Sequence, residues 1–377
     1  LAATTVALPG CYKAEATKEK ARADAAEQKA KTLEGDLAKV RADLQAALTK
    51  AQAAETQLTT VRSGSALVTL VNGQVGSRDS VRWDGQQFVR HGDCARMGGI
   101  VKALAEVAPG HTFLSMRLAE NRTASERAGR PVPLWLMTSD ATHDDLEAAL
   151  KKANAPSHVK LFMQNLSLRL HPNGELFTTE DNEPSTHATG HGDLIDALRR
   201  AGLLADFVDN GGKYVWITNV DNLGASIDDA ILGFFVDEAG KGVDVLCEVC
   251  PKAGDKGGIP VHAEGKVQVL EEFRLPEGFD PATVHVFNTN TFLVKAEPIV
   301  RAPLSWTYFE VEKKVDGKPA IQFERLVQEI TSHLPTIFLE VPRDGICSRF
   351  LPVKDHDELE RRRDDIMAVA RVRGMVG

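Results

Sequence analysis

The stretch Lys213-Tyr214-Val215-Trp216-Ile217-Thr218-Asn219-Val220-Asp221-Asn222-Leu223-Gly224 runs from a block of apolar and β-favouring residues straight into a polar, glycine-ended turn. A run that is apolar on both faces suits a strand buried inside a sheet with helices on either side. Its polar end then lies at the carboxyl edge of the sheet, where open α/β folds place their ligands. Asp221 offers a hard oxygen ligand for a divalent cation such as Mg²⁺, and Asn219 an amide for sugar or ribose hydroxyls. An Asx turn would use the same residues where a strand gives way to a helix, so both readings fit them.

Outward from this strand, similar apolar runs predict strands at 66–71, 133–137, Val159–Met163 and 243–247. Helical spacing occupies 144–153, 192–204 and 228–236. Repeated strand–helix–strand units of this kind define an α/β fold with a mixed or parallel central sheet. Cys247 and Cys250, the closest pair among five cysteines, fall on or beside the last strand and read as small buried residues. A zinc site there would need two further ligands that do not follow at a suitable spacing.

Gly190-His191-Gly192-Asp193 precedes one of the predicted helices. Glycines there let the backbone come close to a ligand, and Asp193 reads as the helix N-cap. His191, flanked by glycines, has little local scaffold to bury it and is expected to contact a ligand.

The N-terminal part is different in kind. From about Tyr12 to Val61 it is rich in Ala, Lys, Glu and Gln, without proline. Leu37, Leu44, Ala51 and Leu58 form one heptad row; Leu33, Val40, Ala47, Ala54 and Val61 form the other. The pattern predicts a coiled-coil helix over 12–62 that pairs chains into a homo-oligomer, or else a single amphipathic helix. Leu8-Pro9-Gly10-Cys11 resembles a bacterial lipobox, which would make residues 1–11 a signal remnant and Cys11 a lipid anchor. The break at Ser63-Gly64-Ser65 then opens a globular part, 65–377.

Composition narrows the function. With 43% hydrophobic and 26% charged residues the 377-residue chain has material for a packed core. A net charge of -8 and no cluster of Lys and Arg argue against nucleic acid as a partner. No apolar stretch reaches the roughly 18 residues of a transmembrane helix.

The two motifs Gly190-His191-Gly192-Asp193 and Asn219 to Gly224, about thirty residues apart, resemble those of the UTP–glucose-1-phosphate uridylyltransferases of the eukaryotic type and their bacterial relatives. Further segments follow in matching order: Pro133-Leu134-Trp135-Leu136-Met137-Thr138-Ser139, the segment around Gln164, Lys256-Gly257-Gly258, Phe287-Asn288-Thr289-Asn290 and Ser348-Arg349-Phe350-Leu351-Pro352-Val353-Lys354. The resemblance runs from about Met97 to Lys354. It implies a Rossmann-like nucleotide-diphospho-sugar transferase fold that forms UDP-glucose and pyrophosphate from UTP and glucose 1-phosphate with Mg²⁺. It further implies that Gln164 and Gly190 contact the uracil, His191 the hexose, Asn219 with Val220 the sugar, Asp221 the metal and Lys354 the phosphates. Lys102 fits the family's catalytic lysine. UTP chemistry places such an enzyme in the cytoplasm, and the sugar-facing motifs lean toward glucose.

The opening of the family's signature is disturbed here. One placement of the nucleotide loop uses the strand at 66–71 and Asn72-Gly73-Gln74-Val75-Gly76-Ser77-Arg78, with Gly73 and Gly76 facing the phosphates and 79–96 as an insertion before Met97-Gly98-Gly99-Ile100-Val101-Lys102. The other runs through His91-Gly92-Asp93-Cys94-Ala95-Arg96 and sets Asp93 beside the triphosphate. If neither forms, the chain would be a catalytically weak nucleotide-sugar-binding homologue serving as a coiled-coil-tethered scaffold. Only 23 residues follow Lys354, so the terminal β-helix domain of eukaryotic relatives is not expected.

Overall fold

The computed structural model describes residues 101–376 except Glu180, Asp181 and Lys256, together with the backbone of 65–70, 81–83 and 88–90, and Gln28. The chain divides into the units Leu1–Leu58 and Thr59–Gly377, and the fold that follows belongs to the second. The expected coiled coil over 12–62, Cys11 and both glycine segments, with Gly73, Gly76 and Gly92, lie outside the described residues.

Seven strands build the main sheet: β1 (Ser65–Leu70), β2 (Leu134–Thr138), β3 (Val159–Met163), β4 (Tyr214–Asn219), β5 (Val245–Pro251), β6 (Val286–Lys295) and β7 (Thr336–Glu340). Their order across the sheet is β7-β5-β6-β4-β1-β2-β3. β4, β1, β2 and β3 run parallel, in the registers Ser65↔Tyr214, Leu67↔Leu134 and Leu134↔Val159. β6 alone is antiparallel to both its neighbours, with Tyr214↔Lys295 and Val245↔Val294, and β7 pairs parallel with β5. The sheet is therefore mixed. The strand expected at 66–71 is β1, which lies inside the sheet between β4 and β2.

The central strands form where the side chains can be buried on both faces. Every residue of β2 is buried, as are Val215, Trp216, Ile217 and Thr218 of β4. At the sheet's edge β3 exposes Lys160 between buried Val159 and partly buried Leu161. Cys247 and Cys250 are both buried on β5, as their reading as small apolar residues requires.

Helix α1 (Phe113–Ala128) is closed at its start by reciprocal bonds between Thr112 and Ser115. α2 (Asp140–Lys152) begins before its apolar stripe, because the Thr142 hydroxyl accepts from the Ser139 N–H at 3.0 Å. The helix expected over 192–204 is two, α3 (Leu194–Arg200) and α4 (Leu203–Asp209). Gly202 between them adopts φ 70°, which ends one helix and turns the chain into the next. α5 (Asp229–Ala239) is capped by Asp228, and α6 (His356–Val372) by Asp355.

Because side chains alternate across a strand, Val215 and Ile217 face α3 and α4, where Ile195, Leu198, Leu204 and Phe207 complete the core with Trp135 and Phe292. Trp135 meets Phe207 edge-to-face at 5.4 Å. On the other face Tyr214 meets Phe235 of α5 at 5.8 Å. Each buried Leu, Ile or Phe of this kind contributes about 1.5–3 kcal/mol.

Candidate active site

The carboxyl ends of the parallel strands β2, β3 and β4 open on one edge of the sheet, and antiparallel β6 brings its amino end to the same edge. Ser139, Gln164 and the Asn219 to Gly224 turn follow directly from those strand ends.

Lys102, 3% exposed, opens a short 3-10 turn, Lys102–Leu104. Its Nζ donates to Asp221 Oδ2 at 3.1 Å and to the Val353 carbonyl at 3.0 Å. Asp221 is itself 7% exposed. A buried ammonium and a buried carboxylate tolerate loss of water because each neutralises the other. Three remote segments thus converge on one atom. Lys354 follows Val353, is exposed, and has its backbone N–H fixed to Glu358 Oε2 at 2.9 Å. Val220, by contrast, packs its side chain into the core.

Asn219 Oδ1 accepts from Asn290 Nδ2 at 2.9 Å. Asn290 holds φ 59°, a left-handed conformation that asparagine adopts more readily than other side chains, and its N–H donates to Asn288 Oδ1 at 2.9 Å. The Oδ1 of Asn290 is buried without a hydrogen-bond partner among the described residues. Buried Gln164 is in the same condition: 5% exposed, its backbone N–H is tied to Thr138 O at 2.9 Å, while its Oε1 has no partner. An unpaired buried acceptor costs about 1–3 kcal/mol, which a ligand donor would return.

Gln164 and Gly190 are brought together by the residues beside them. Thr189 N donates to Asn165 O at 3.2 Å, and Asn165 N donates to Asp193 Oδ2 at 2.5 Å. Asp193 occupies the N-cap position of α3, as expected, but its side chain makes no capping bond: the carboxylate also accepts from Asn165 Nδ2 (3.2 Å), Arg200 Nη2 (3.0 Å) and Arg325 Nη2. Charged donors outcompete the helix amides for a fully buried carboxylate. Gly190 takes φ 84°, and Gly192 lies so close to Arg325 and Leu326 that a Cβ would overlap their backbone.

His191 does have a scaffold, supplied from far along the chain. Val327 N–H donates to His191 Nδ1 at 3.1 Å, which leaves the ring proton on Nε2. The residue keeps part of its surface accessible, and burial pushes its pKa down to about 4. The imidazole is neutral at ordinary pH and can offer only an Nε2–H to a ligand.

Two groups result: Gln164 with Gly190 beyond β3, and Lys102, Asp221, Asn219 and the Val353–Lys354 segment beyond β4. The intervening strands β2 and β1 separate them by three strand spacings, about 14 Å. A ligand touching both is elongated along the sheet edge. Among the described residues no three His, Cys, Asp or Glu side chains converge to hold a metal. A divalent cation at Asp221 would therefore draw its remaining ligands from water and ligand oxygens, the habit of Mg²⁺, and the lone hard carboxylate fits it.

Sequence reading did not single out Arg117, Glu120, Arg325 or Asn165, and it gave Arg349 no role. All five lie against the motif segments and within the stretch from Met97 to Lys354 over which the resemblance runs.

A family model described as UTP–glucose-1-phosphate uridylyltransferase matches residues 91–372. The match includes Gly92 and begins after Gly73 and Gly76. Among curated proteins, the UTP–glucose-1-phosphate uridylyltransferase of Musa acuminata is 32% identical over 281 residues, covering 68% of this chain and 57% of its own length. That of Hordeum vulgare is also 32% identical, covering 68% of this chain and 56% of its own. The chain thus spans a little over half the length of these relatives. Among solved structures, a UDP-glucose phosphorylase from Trypanosoma brucei superposes with TM-score 0.66 at 24% identity, over 81% of this chain and 66% of that one. A point mutant of the Leishmania major UDP-glucose pyrophosphorylase, in complex with UDP-glucose, gives TM-score 0.63 at 25% identity, over 80% and 65%.

Proposed function

The chain belongs to the UTP–glucose-1-phosphate uridylyltransferase family, and from that premise we propose that it transfers uridylyl from UTP to glucose 1-phosphate, forming UDP-glucose and pyrophosphate. The observation that carries this reading is the meeting of Lys102, Asp221 and the Val353 carbonyl at the carboxyl edge of the sheet.

An oxygen of the glucose 1-phosphate attacks the α-phosphorus of UTP. The new P–O bond forms as the bond from that phosphorus to the bridging oxygen breaks, and pyrophosphate leaves with the electron pair. The nucleophile is already an anion, so the protein need not remove a proton. Its work is in-line positioning and neutralisation of charge. Lys102 supplies a buried positive charge at the reacting phosphates and Lys354 an exposed one. Asp221 would hold Mg²⁺, which when bound neutralises phosphate oxygens and orders them.

The unpaired Oε1 of Gln164, beside Gly190, supports a uracil at the β3 end: the N3–H of the base is the donor that acceptor lacks. The Asn219–Asn290 amide pair at the β4 end suits hydroxyls of the ribose or hexose, and His191 Nε2–H adds a neutral donor for the hexose. Gly73 with Gly76, or the segment around Gly92, would supply amides for the triphosphate. No helix of the described residues is long and apolar enough to cross a membrane. UTP supply favours the cytoplasm. The heptad rows over 12–62 favour a homo-oligomer.

Incubating the chain with UTP, Mg²⁺ and either glucose 1-phosphate or N-acetylglucosamine 1-phosphate tests the assignment. UDP-glucose is expected to form at least about ten-fold faster than the N-acetylhexosamine product. Failure to form UDP-glucose would refute it and favour the scaffold reading.

A further inference from the structure

Of the eight backbone carbonyls from Asn219 to Ser226, five accept hydrogen bonds from arginine side chains. Arg117, fully buried on α1, donates to the carbonyls of Asn219 (3.0 Å), Asn222 (2.5 Å) and Ala225 (2.8 Å). Arg373 donates to the carbonyl of Gly224, and Arg349 to that of Ser226 at 2.9 Å. Two buried carboxylates pair with Arg117 and Arg349. Glu120 accepts from Arg117 at 2.6 Å and also takes the Ile227 N–H at 3.1 Å. Glu248 receives Arg349 through two bonds of 2.8 and 2.5 Å.

Loop carbonyls usually satisfy themselves at the surface with water. Here guanidinium groups are taken out of water for that purpose, at a desolvation cost that apolar side chains of similar volume would avoid. Folding alone does not call for such an arrangement. What it achieves is immobility in the one turn that carries Asp221. A guanidinium suits the task because its planar fork presents several donors in fixed directions to carbonyls along a turn, which an ammonium cannot do.

Arg373 adds a link between segments. Its Nη2 donates to Ser348 O at 2.7 Å while the other arm holds Gly224. Ser348 begins the stretch that leads to Val353 and Lys354, and Asn222 reinforces the junction with bonds to Arg349 O (3.1 Å) and from Leu351 N (2.7 Å). The two segments that meet at Lys102 are thus pinned to each other behind the site.

We infer that Arg117, Arg349 and Arg373 are positioning residues, locking the 219–226 turn against the 348–354 segment so that Asp221 and Val353 meet Lys102 in a fixed geometry. The catalytic part of this inference rests on the function proposed above. The immobility of the turn does not.

The test uses the full chain with Arg373→Gln, which alters a partly exposed residue near the end of α6, and Arg117→Lys, which keeps the charge but loses the fork. Circular dichroism checks the fold, and amide hydrogen exchange is followed in peptides covering 219–226 and, as a control, 134–138. In both variants the 219–226 amides are expected to exchange about ten-fold faster with the control unchanged. The same variants should lose about ten-fold or more in kcat while the KM for UTP stays within about three-fold, a split that general destabilisation would not produce. Unchanged exchange at 219–226 in the folded variants overturns the inference, as does unchanged kcat in an enzyme whose wild type turns over. A wild type without turnover refutes the proposed function instead, and the exchange measurement then decides the clamp by itself.

Discussion

Lys102 Nζ lies 3.1 Å from Asp221 Oδ2 although 119 residues separate them. The two charges neutralise each other at the edge of the sheet where β4 ends. An entering phosphate would draw on the ammonium, and a divalent cation on the carboxylate, so the pair already holds both elements that a triphosphate needs.

Breaking this pair from one side should cost more than removing it whole. Asp221→Ala takes away the carboxylate that faces a buried ammonium, and a loss of about 3 kcal/mol is expected. Adding Lys102→Met should restore at least half of that loss, since the uncompensated charge is then gone. Urea unfolding of the two single variants and the double variant gives the coupling directly. Strict additivity would argue that the contact is energetically idle.

Gln164→Leu should move stability and binding in opposite directions. Replacing an amide whose oxygen is buried and unpaired by an apolar group of similar size is expected to stabilise the free protein by up to about 1 kcal/mol. UTP affinity should meanwhile fall by about ten-fold or more, measured by calorimetry. Equal affinity in the variant would remove Gln164 from the nucleotide site.

Gly192→Ala places a methyl into the backbone of Arg325 and Leu326, with no flexible side chain to yield. The expected result is a loss of about 3 kcal/mol or more in a thermal melt. The Asp193–Arg325 ion pair and the seat of Gln164 would be disturbed with it. A variant as stable as the parent would show that this approach can relax.

Stability should depend on pH through His191. Its folded pKa, near 4, lies below the ordinary value of 6.5, so as the pH falls the unfolded chain takes up a proton first. The contribution is fully present above about pH 6.5, declines between about pH 6.5 and 4, and is gone below, amounting to about 2 kcal/mol after allowance for partial exposure. Unfolding at pH 7, 5.5 and 4.5 for the parent and His191→Gln isolates it. Parallel slopes would show that the ring is not held neutral.

The fold was legible where chemistry and periodicity agree. β2 and β4 are runs of buried side chains ending in polar residues, and no other element suits them. β6 escaped because Asn288, Thr289 and Asn290 interrupt its apolar pattern, although it lies between β4 and β5. α1 escaped for a related reason: its buried face carries Arg117, Glu120 and Asn121, so no apolar stripe marks it. At the site, Asp221 was readable from its place just after a strand, whereas Gln164 was singled out by the family resemblance alone. The Lys102–Asp221 contact was not, because pairing across 119 residues is set by the topology of the sheet. His191, bare of support in its own segment, takes a hydrogen bond from Val327 in a distant part of the chain, a partner that local sequence does not reveal.

The central claim is that Lys102 acts on the phosphates of UTP. Pyrophosphate release from UTP, Mg²⁺ and glucose 1-phosphate, compared between the parent and a folded Lys102→Ala variant, tests it most directly. A fall of at least about 100-fold in kcat is predicted, the scale of losing one preorganised charge at a reacting phosphate. Release at the same rate in both proteins, or in neither, would contradict it.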